Sequence, residues 1–319
     1  MALSKVNPNL ITQGPSGRKN IISNGSFQIS QRGGYTSTTA AANNTYYVDR
    51  FRITAASVNV SNQHTTVSIG GVSKRAYRVT ATSAATGYFG SRHGFELLDL
   101  EVGATYTISC WMRSNKSNAR IRQDNIAATS ADSTMSHTGG GDWEKITFTV
   151  DSTNTVANCA LQFICYPVAA VSVGDYIEIA DVQMEVGSVA TDFEHRSYGE
   201  ELALCQRYYE VIADGSVSQV QTFGIGHGYK SDQINWFYQF KVSKRTEAFT
   251  LEVVSTSTGY RARNHSTNKY STTLGMSANL QTINQIEGYM TAISGITEQS
   301  CWSVLLNQPS SKIAVSAEL

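Results

Sequence analysis

The sequence predicts an all-β chain of two sandwich domains joined by one short helix. Three observations carry this. Apolar and polar residues alternate with a period of two in short runs along the chain, and Gly, Asn and Ser separate the runs. Helix-type spacing occurs at one place, behind Ser197. The chain holds 16 Tyr and only 4 Pro, a balance that favours strands and polar turns over disorder. Its 319 residues allow two domains of roughly 100–200 residues each.

Residues 1–20 (MALSKVNPNLITQGPSGRKN) show no periodicity and contain Pro and Gly pairs, so an extended arm is expected. Residues 21–192 form the first predicted sandwich. Asn20–Phe27 leads into it. Phe51 and Ile53 alternate with Arg50, Arg52 and Thr54, and Tyr77 and Val79 are flanked by Arg and Thr. In TYTISCWMR, Tyr106, Ile108, Cys110 and Met112 share one face, and Trp111 lies on the other. Ile146, Phe148 and Val150 fall together, as do Leu161, Phe163 and Cys165, and a strand over Asp175–Val186 closes the set. Parallel pairing would need crossover helices, and none is predicted before Ser197.

Residues 193–211 are predicted as linker and helix. Ser197-Tyr198-Gly199-Glu200 has the form of a capping box, in which hydroxyl and carboxylate each satisfy an orphan amide. Leu202, Leu204, Cys205, Tyr208 and Tyr209 then occupy one half of a helical wheel. That width suits a helix packed on its own domain and on a second copy, so these five residues are the candidate oligomer interface. Residues 212–319 are predicted as a second, smaller β domain. Its strand signals are NWFYQFKV (Trp236, Tyr238, Phe240, Val242), Phe249-Leu251-Val253, Glu287–Ile293, Cys301–Leu306 and Lys312–Ala317. Residues 255–275 read as a polar, aromatic contact loop offering Tyr260, Arg261, Arg263, Asn264, His265 and Tyr270.

Formal net charge is zero, so no long-range field draws nucleic acid or an anionic membrane, and neither partner is expected. No run of 18 apolar residues and no N-terminal h-region is present, so no membrane insertion is expected. The five cysteines lack metal-ligand spacing; Cys110, Cys159 and Cys165 sit in apolar strand patterns and read as core residues. GxSxG, HExxH, a P-loop and a strand–GxGxxG–helix are all missing, and no catalytic residue is assigned. Asp192, Glu194, His195, Arg196, Glu200 and Glu201 are the densest polar cluster. A carboxylate pair serves glycosidases, but Glu200 reads as a cap and the rest as a polar linker. Aromatic platforms for sugar stacking are offered by Tyr88, Phe89, Trp111 and Trp143.

The segment DVQMEVGSVATDFEHRSYGEELALCQRYYEV, with MALSK at the start, NGSFQISQRG at residues 24–33 and SAEL at the end, resembles tail-fibre and other virion structural proteins of tailed bacteriophages. The resemblance covers residues 1–211 well and the remainder loosely. The order of an NGSF opening, a GDWEK strand and an IADVQME closing strand resembles carbohydrate-binding-module jelly rolls. It implies a jelly-roll β-sandwich in residues 21–192, with a structural calcium at Gly25, Gln28 and Asp181, although Gln28 stands where a carboxylate is expected. No other cofactor is implied. It further implies a homotrimer located on the virion and assembled in the host cytoplasm. The arm 1–20 would dock on another virion protein. Tyr88, Trp111, Tyr260, Arg263 and Tyr270 would be candidate contacts for a host surface glycan. A capsid decoration protein and a polysaccharide depolymerase are the rival expectations.

Overall fold

The structure is a computed structural model that describes residues 18–33, 39–96, 100–153, 158–166, 170–215, 221–254, 259–264, 267–271, 273–276, 281–291, 293–306, 308 and 311–318. Most of the arm and His265 therefore lie outside the described residues. The chain divides between Glu201 and Leu202 into two compact units.

The first unit is a jelly roll of two six-stranded sheets. One sheet runs β1 (Thr39–Ala41), β4 (Val60–Ile69), β5 (Val72–Ala81), β12 (Tyr176–Val186), β7 (Thr105–Ser114), β10 (Glu144–Asp151). The other runs β2 (Tyr46–Val48), β3 (Phe51–Ala56), β6 (Tyr88–Gly94), β11 (Ala160–Cys165), β8 (Ala119–Asp124), β9 (Ala131–Ser136). From β5 onward the chain repeatedly crosses from one sheet to the other, so most neighbours are distant in sequence, and all pairings are antiparallel. Alternation explains the core: Tyr106, Ile108, Cys110 and Met112 point inward with Tyr77, Val79, Ile146, Leu161 and Phe163. Phe27 and Phe51 rings meet at 4.7 Å within it. Burial pushes the Cys165 thiol up to about 12, consistent with a core residue.

The NGSF opening has a specific mechanical role. Asn24 takes a positive φ, and its amide side chain donates to the carbonyls of Ile29 and Asp49 and accepts from the Ile29 amide. Gly25 lies flat against β12: a Cβ there would stand 2.0 Å from the Val182 carbonyl oxygen. The Val182 amide donates to the Gly25 carbonyl at 2.8 Å. β12 meets this contact through a bulge between Ala180 and Gln183, with Asp181 at φ 47°.

The helix is shorter than the wheel pattern predicts. α1 spans Tyr198–Gln206, nine residues. Tyr208 sits in the turn after it, and Tyr209 opens β13 (Tyr209–Asp214). The expected continuous apolar face through Tyr209 is thus corrected: Cys205, Tyr208 and Tyr209 are buried within the single chain, and only Leu202 and Leu204 are half-buried on α1. The physical reason is β-propensity: Tyr208-Tyr209-Glu210-Val211 favours extended backbone once it can pair, and β13 pairs with β22 (Lys312–Ser316).

The second unit combines a three-stranded sheet, β13–β22–β16 (Thr250–Val254), with a seven-stranded one. The larger sheet runs β18 (Thr267–Ser271), β17 (Tyr260–Asn264), β21 (Cys301–Leu306), β14 (Gln221–Lys230), β15 (Gln233–Gln239), β20 (Gln285–Thr291), β19 (Thr273–Met276). Residues 255–275, expected as a loop, thus contribute three strands wherever they are described. Trp236, Ile234, Ile286, Trp302, Val304, Ile313 and Val315 form the core.

A buried ion pair anchors this unit to the end of α1. Lys244 and Glu210 have fully buried side chains with Nζ and Oε2 2.6 Å apart. Lys244 also donates to the Gln206 carbonyl, the last residue of α1, where a cation complements the helix dipole. Tyr238 Oη donates to Glu210 Oε1 at 2.8 Å, so both carboxylate oxygens are satisfied. Burial holds the Lys244 pKa below its usual range despite Glu210. Lys244→Met strands the Glu210 carboxylate and is expected to destabilise by about 3–5 kcal/mol. Lys244→Met with Glu210→Met should recover part of that loss, as read from denaturant unfolding.

Candidate functional site

The two outer faces of the jelly roll differ in character. On the β12 sheet, Trp111 stands opposite Ala180 and Lys145. It is half-buried in a small cluster with Ile69, Ala76, Ala180, Val67 and Trp143. The guanidinium of Arg113 lies 5.0 Å from the Trp143 ring centroid and pairs with the buried Glu178. Beside Trp111 is a cleft of about 260 Å³ lined by Lys74, Lys145, Asp181, Asp192, Phe193 and His195 among others. The Asp181 carboxylate, swung outward by the bulge, forms a short ion pair with Lys74. Asp181 is one of the three residues to which the resemblance assigns a structural calcium, with Gly25 and Gln28. Among the described residues no group of three or more His, Cys, Asp or Glu gathers as metal ligands.

The β11 sheet presents a more extensive polar face. Register places Tyr46, Arg52, Arg92, Gln162, Arg122 and Asp132 in one row across its six strands. The adjacent row holds Thr54, Gly90, Ile164, Arg120 and Ser136. Gly90 is required there, because a Cβ would lie 1.9 Å from the Phe163 carbonyl oxygen. Tyr88 and Tyr166 flank the rows with ring centroids 5.2 Å apart. Asp124 binds Arg122 at 3.1 Å and Arg92 at 3.7 Å and accepts from Gln162 Nε2. Asp132 binds Arg122 at 3.0 Å and Arg120 at 3.6 Å. Burial, with Arg52 alongside, lowers the Arg92 pKa, and burial raises that of Tyr166. The result is a row of donors and acceptors tied together by its own ion pairs, with aromatic rings at its margin and with Gln162 and Thr54 themselves buried.

The residues expected to touch a glycan are therefore scattered. Tyr88 is on the β11 face, whereas Phe89 points into the core. Trp111 and Trp143 are on the opposite sheet. Tyr260 is completely buried, which removes it as a contact, because position 260 points inward from β17. Arg263 is exposed on the same strand. Tyr270 is 46% exposed and lines a recess of about 410 Å³ with Asn268, Lys269, Ile293 and Ser294. Sequence reading missed Arg52, Arg92, Arg120, Arg122, Gln162 and Tyr166. The available signal was period-two Arg spacing in ARIRQD, which marks the solvent face of a strand.

The acidic cluster before α1 has structural partners. Glu194 accepts from the Asn20 amide at 2.9 Å, and Glu201 from the Asn24 amide at 2.5 Å. Arg196 donates to the Ile22 and Asn20 carbonyls and pairs with Glu201. The capping box is formed: the Ser197 amide and hydroxyl donate to Glu200 at 3.0 and 2.9 Å, and the Glu200 amide donates back to Ser197 Oγ at 3.3 Å.

No family model matches this chain, and no curated protein does. Solved structures are similar at low identity. The xylan-binding CBM22-1 domain of Paenibacillus barcinonensis Xyn10C is 11% identical, over 54% of this chain and 96% of that one, with TM-score 0.33. TmCBM61, solved with β-1,4-galactotriose, is 13% identical over 53% and 100%, with TM-score 0.32. The enzymatically active domain of bacteriophage CBA120 tailspike protein 4 is 12% identical over 52% and 21%, with TM-score 0.34. Likeness at these scores carries no statement about ligand or activity.

The hydrogen bond from Arg18, then those from Ser197, hold the Glu200 carboxyl down to about 2. A depressed carboxylate stabilises the fold above its ordinary value of 4.5 and loses that contribution as pH falls through about 2. Wild type should therefore melt above Glu200→Gln at pH 6, and the gap should close by pH 2 in paired thermal scans.

Proposed function

We propose that this chain is a non-catalytic, glycan-binding structural subunit of a tailed-phage virion, a homotrimeric tail fibre or fibre-like component that contributes to host-surface recognition. The observation that carries glycan binding is the row Tyr46–Arg52–Arg92–Gln162–Arg122–Asp132 with Tyr88 and Tyr166 at its margin. Sugar hydroxyls both donate and accept, and guanidinium, amide and carboxylate groups in one row answer both. Sugar ring faces pack on aromatic rings. Because Asp124 and Asp132 already hold Arg92 and Arg122, little rotamer freedom is lost by those two side chains on binding.

The virion assignment is supported by the resemblance of the NGSF and DVQMEV segments to phage virion proteins. In this reading the arm ahead of Asn20 docks on a neighbouring virion protein; Asn20 itself, which the sequence reading gave to the arm, is buried in the jelly roll. Lys19, at the base of the arm, is held by Thr191 Oγ1 and the Asp192 carbonyl, both at 2.6 Å. The carboxylates near α1 serve as caps and clamps, which supports a binding role over hydrolysis. One site of this kind binds in the millimolar to micromolar range, about −4 to −8 kcal/mol. Three linked copies raise the apparent affinity through effective concentration.

Titration of the full chain with oligosaccharides from host surface polysaccharide is expected to give saturable binding without release of reducing ends. Tyr88→Ala or Tyr166→Ala should each weaken it roughly tenfold, the equivalent of about 1–1.5 kcal/mol for a lost aromatic contact. Unchanged binding in both variants and in Arg122→Ala would remove this face as the site, and sustained sugar release would overturn the non-catalytic reading. Antibody labelling of intact virions tests the location.

A further inference from the structure

β14 inverts the usual logic of a sandwich strand. After its bulge, Gly226 and Gly228 point inward, where a Cβ would lie 2.4 Å from the Asn235 carbonyl oxygen and 2.3 Å from that of Thr297. The bulky residues Ile225, His227 and Tyr229 point outward. Ile225 is 71% exposed, Tyr229 51%, and Phe237, directly opposite Ile225 on β15, is 45% exposed. These side chains add nothing to the core of the second unit, and exposing them costs solvation free energy.

The row through them is ordered by charge. Register gives Arg263–Ser303–Ile225–Phe237–Glu287 across β17, β21, β14, β15 and β20. At about 4.8 Å per strand the two charged ends stand roughly 19 Å apart, too far to pair with each other. An apolar centre with a cation at one edge and an anion at the other is complementary to itself. When copies are arranged around a symmetry axis, the Arg263 edge of one meets the Glu287 edge of the next, and Ile225 and Phe237 meet near the axis. The face covers on the order of 500 Å², a large part of the ~800 Å² per partner of a stable interface.

We infer that this outer face of the seven-stranded sheet is the surface through which copies of the chain self-associate. The inference rests on the homo-oligomer part of the proposed function and is independent of its glycan site. It replaces the α1 face, most of which is buried within one chain.

Cys301 supplies a native probe. It is the exposed cysteine of the five, and it pairs in register with His227 on this face. Light scattering of the full chain at micromolar concentration should show an oligomer in which Cys301 reacts with iodoacetamide at least tenfold more slowly than in dilute, dissociated protein. Arg263→Glu and Glu287→Arg should each shift the protein toward monomer and expose Cys301, and the double reversal should restore both. Per-site glycan affinity should persist in the monomeric variants, which separates this inference from the binding reading. A wild-type monomer with freely reactive Cys301 would overturn the inference. So would an oligomer whose size and Cys301 reactivity ignore both charge reversals.

Discussion

The first unit depends on one buried polar contact between segments at opposite ends of its sequence. Asn20 donates to the Val182 carbonyl and accepts from the Ile22 and Met184 amides. Arg196 and Glu201 close over the same segment, binding the carbonyls of Asn20 and Ile22 and the amide of Asn24. None of these groups has water as an alternative, since Asn20, Asn24, Arg196 and Glu201 are all buried. Each therefore costs its full desolvation if its partner is lost. Burial raises the Glu201 pKa even with the Asn24 amide and Arg196 beside it. The strained details follow from it. Asn24 sits at positive φ, Gly25 approaches Val182 without room for a side chain, and Asp181 turns outward at the β12 bulge. That bulge in turn shapes the cleft beside Trp111.

This contact also accounts for what was legible in the sequence. NGSF and DVQMEV…FEHRSYGEE stand out because their residues are chosen for backbone geometry and for each other. The strong alternators, such as TYTISCWMR and WEKITFTV, were readable because one face is core and the other solvent. β11 was readable for its apolar residues alone, since all six of its positions are buried. The short strands β1 and β2 and the polar strand β9 carry too few apolar positions to show a period, and β8 shows one through its arginines rather than its apolar residues. β14 was invisible for a different reason: glycine occupies its inward positions, so the hydrophobic signal lies on the wrong side.

The candidate site was less legible than the fold. Sequence identified the aromatic residues able to stack on a sugar, but a row across six strands is a property of register. Arg52, Arg92, Gln162 and Arg122 become neighbours only through pairings between β3, β6, β11 and β8. Tyr260 and Arg263 illustrate the same limit within one strand, where a shift of three positions separates a core residue from an exposed one. Zero net charge was informative in another way. Arg92, Arg120 and Arg122 of the β11 face each pair locally with Asp124 or Asp132, so these guanidinium groups act through directional hydrogen bonds at close range.

If the polar contact between residues 20–24 and 182–201 organises the jelly roll, its members must be strongly coupled. A double-mutant cycle on Arg196→Met and Glu201→Gln, whose side chains pair directly over the 20–24 segment, read in the full chain by denaturant unfolding of the first unit, tests this most directly. The account predicts that each single change costs about 2–4 kcal/mol and that the pair is non-additive by at least about 1 kcal/mol. Single losses within about 0.5 kcal/mol of wild type, or losses that simply add, would contradict it.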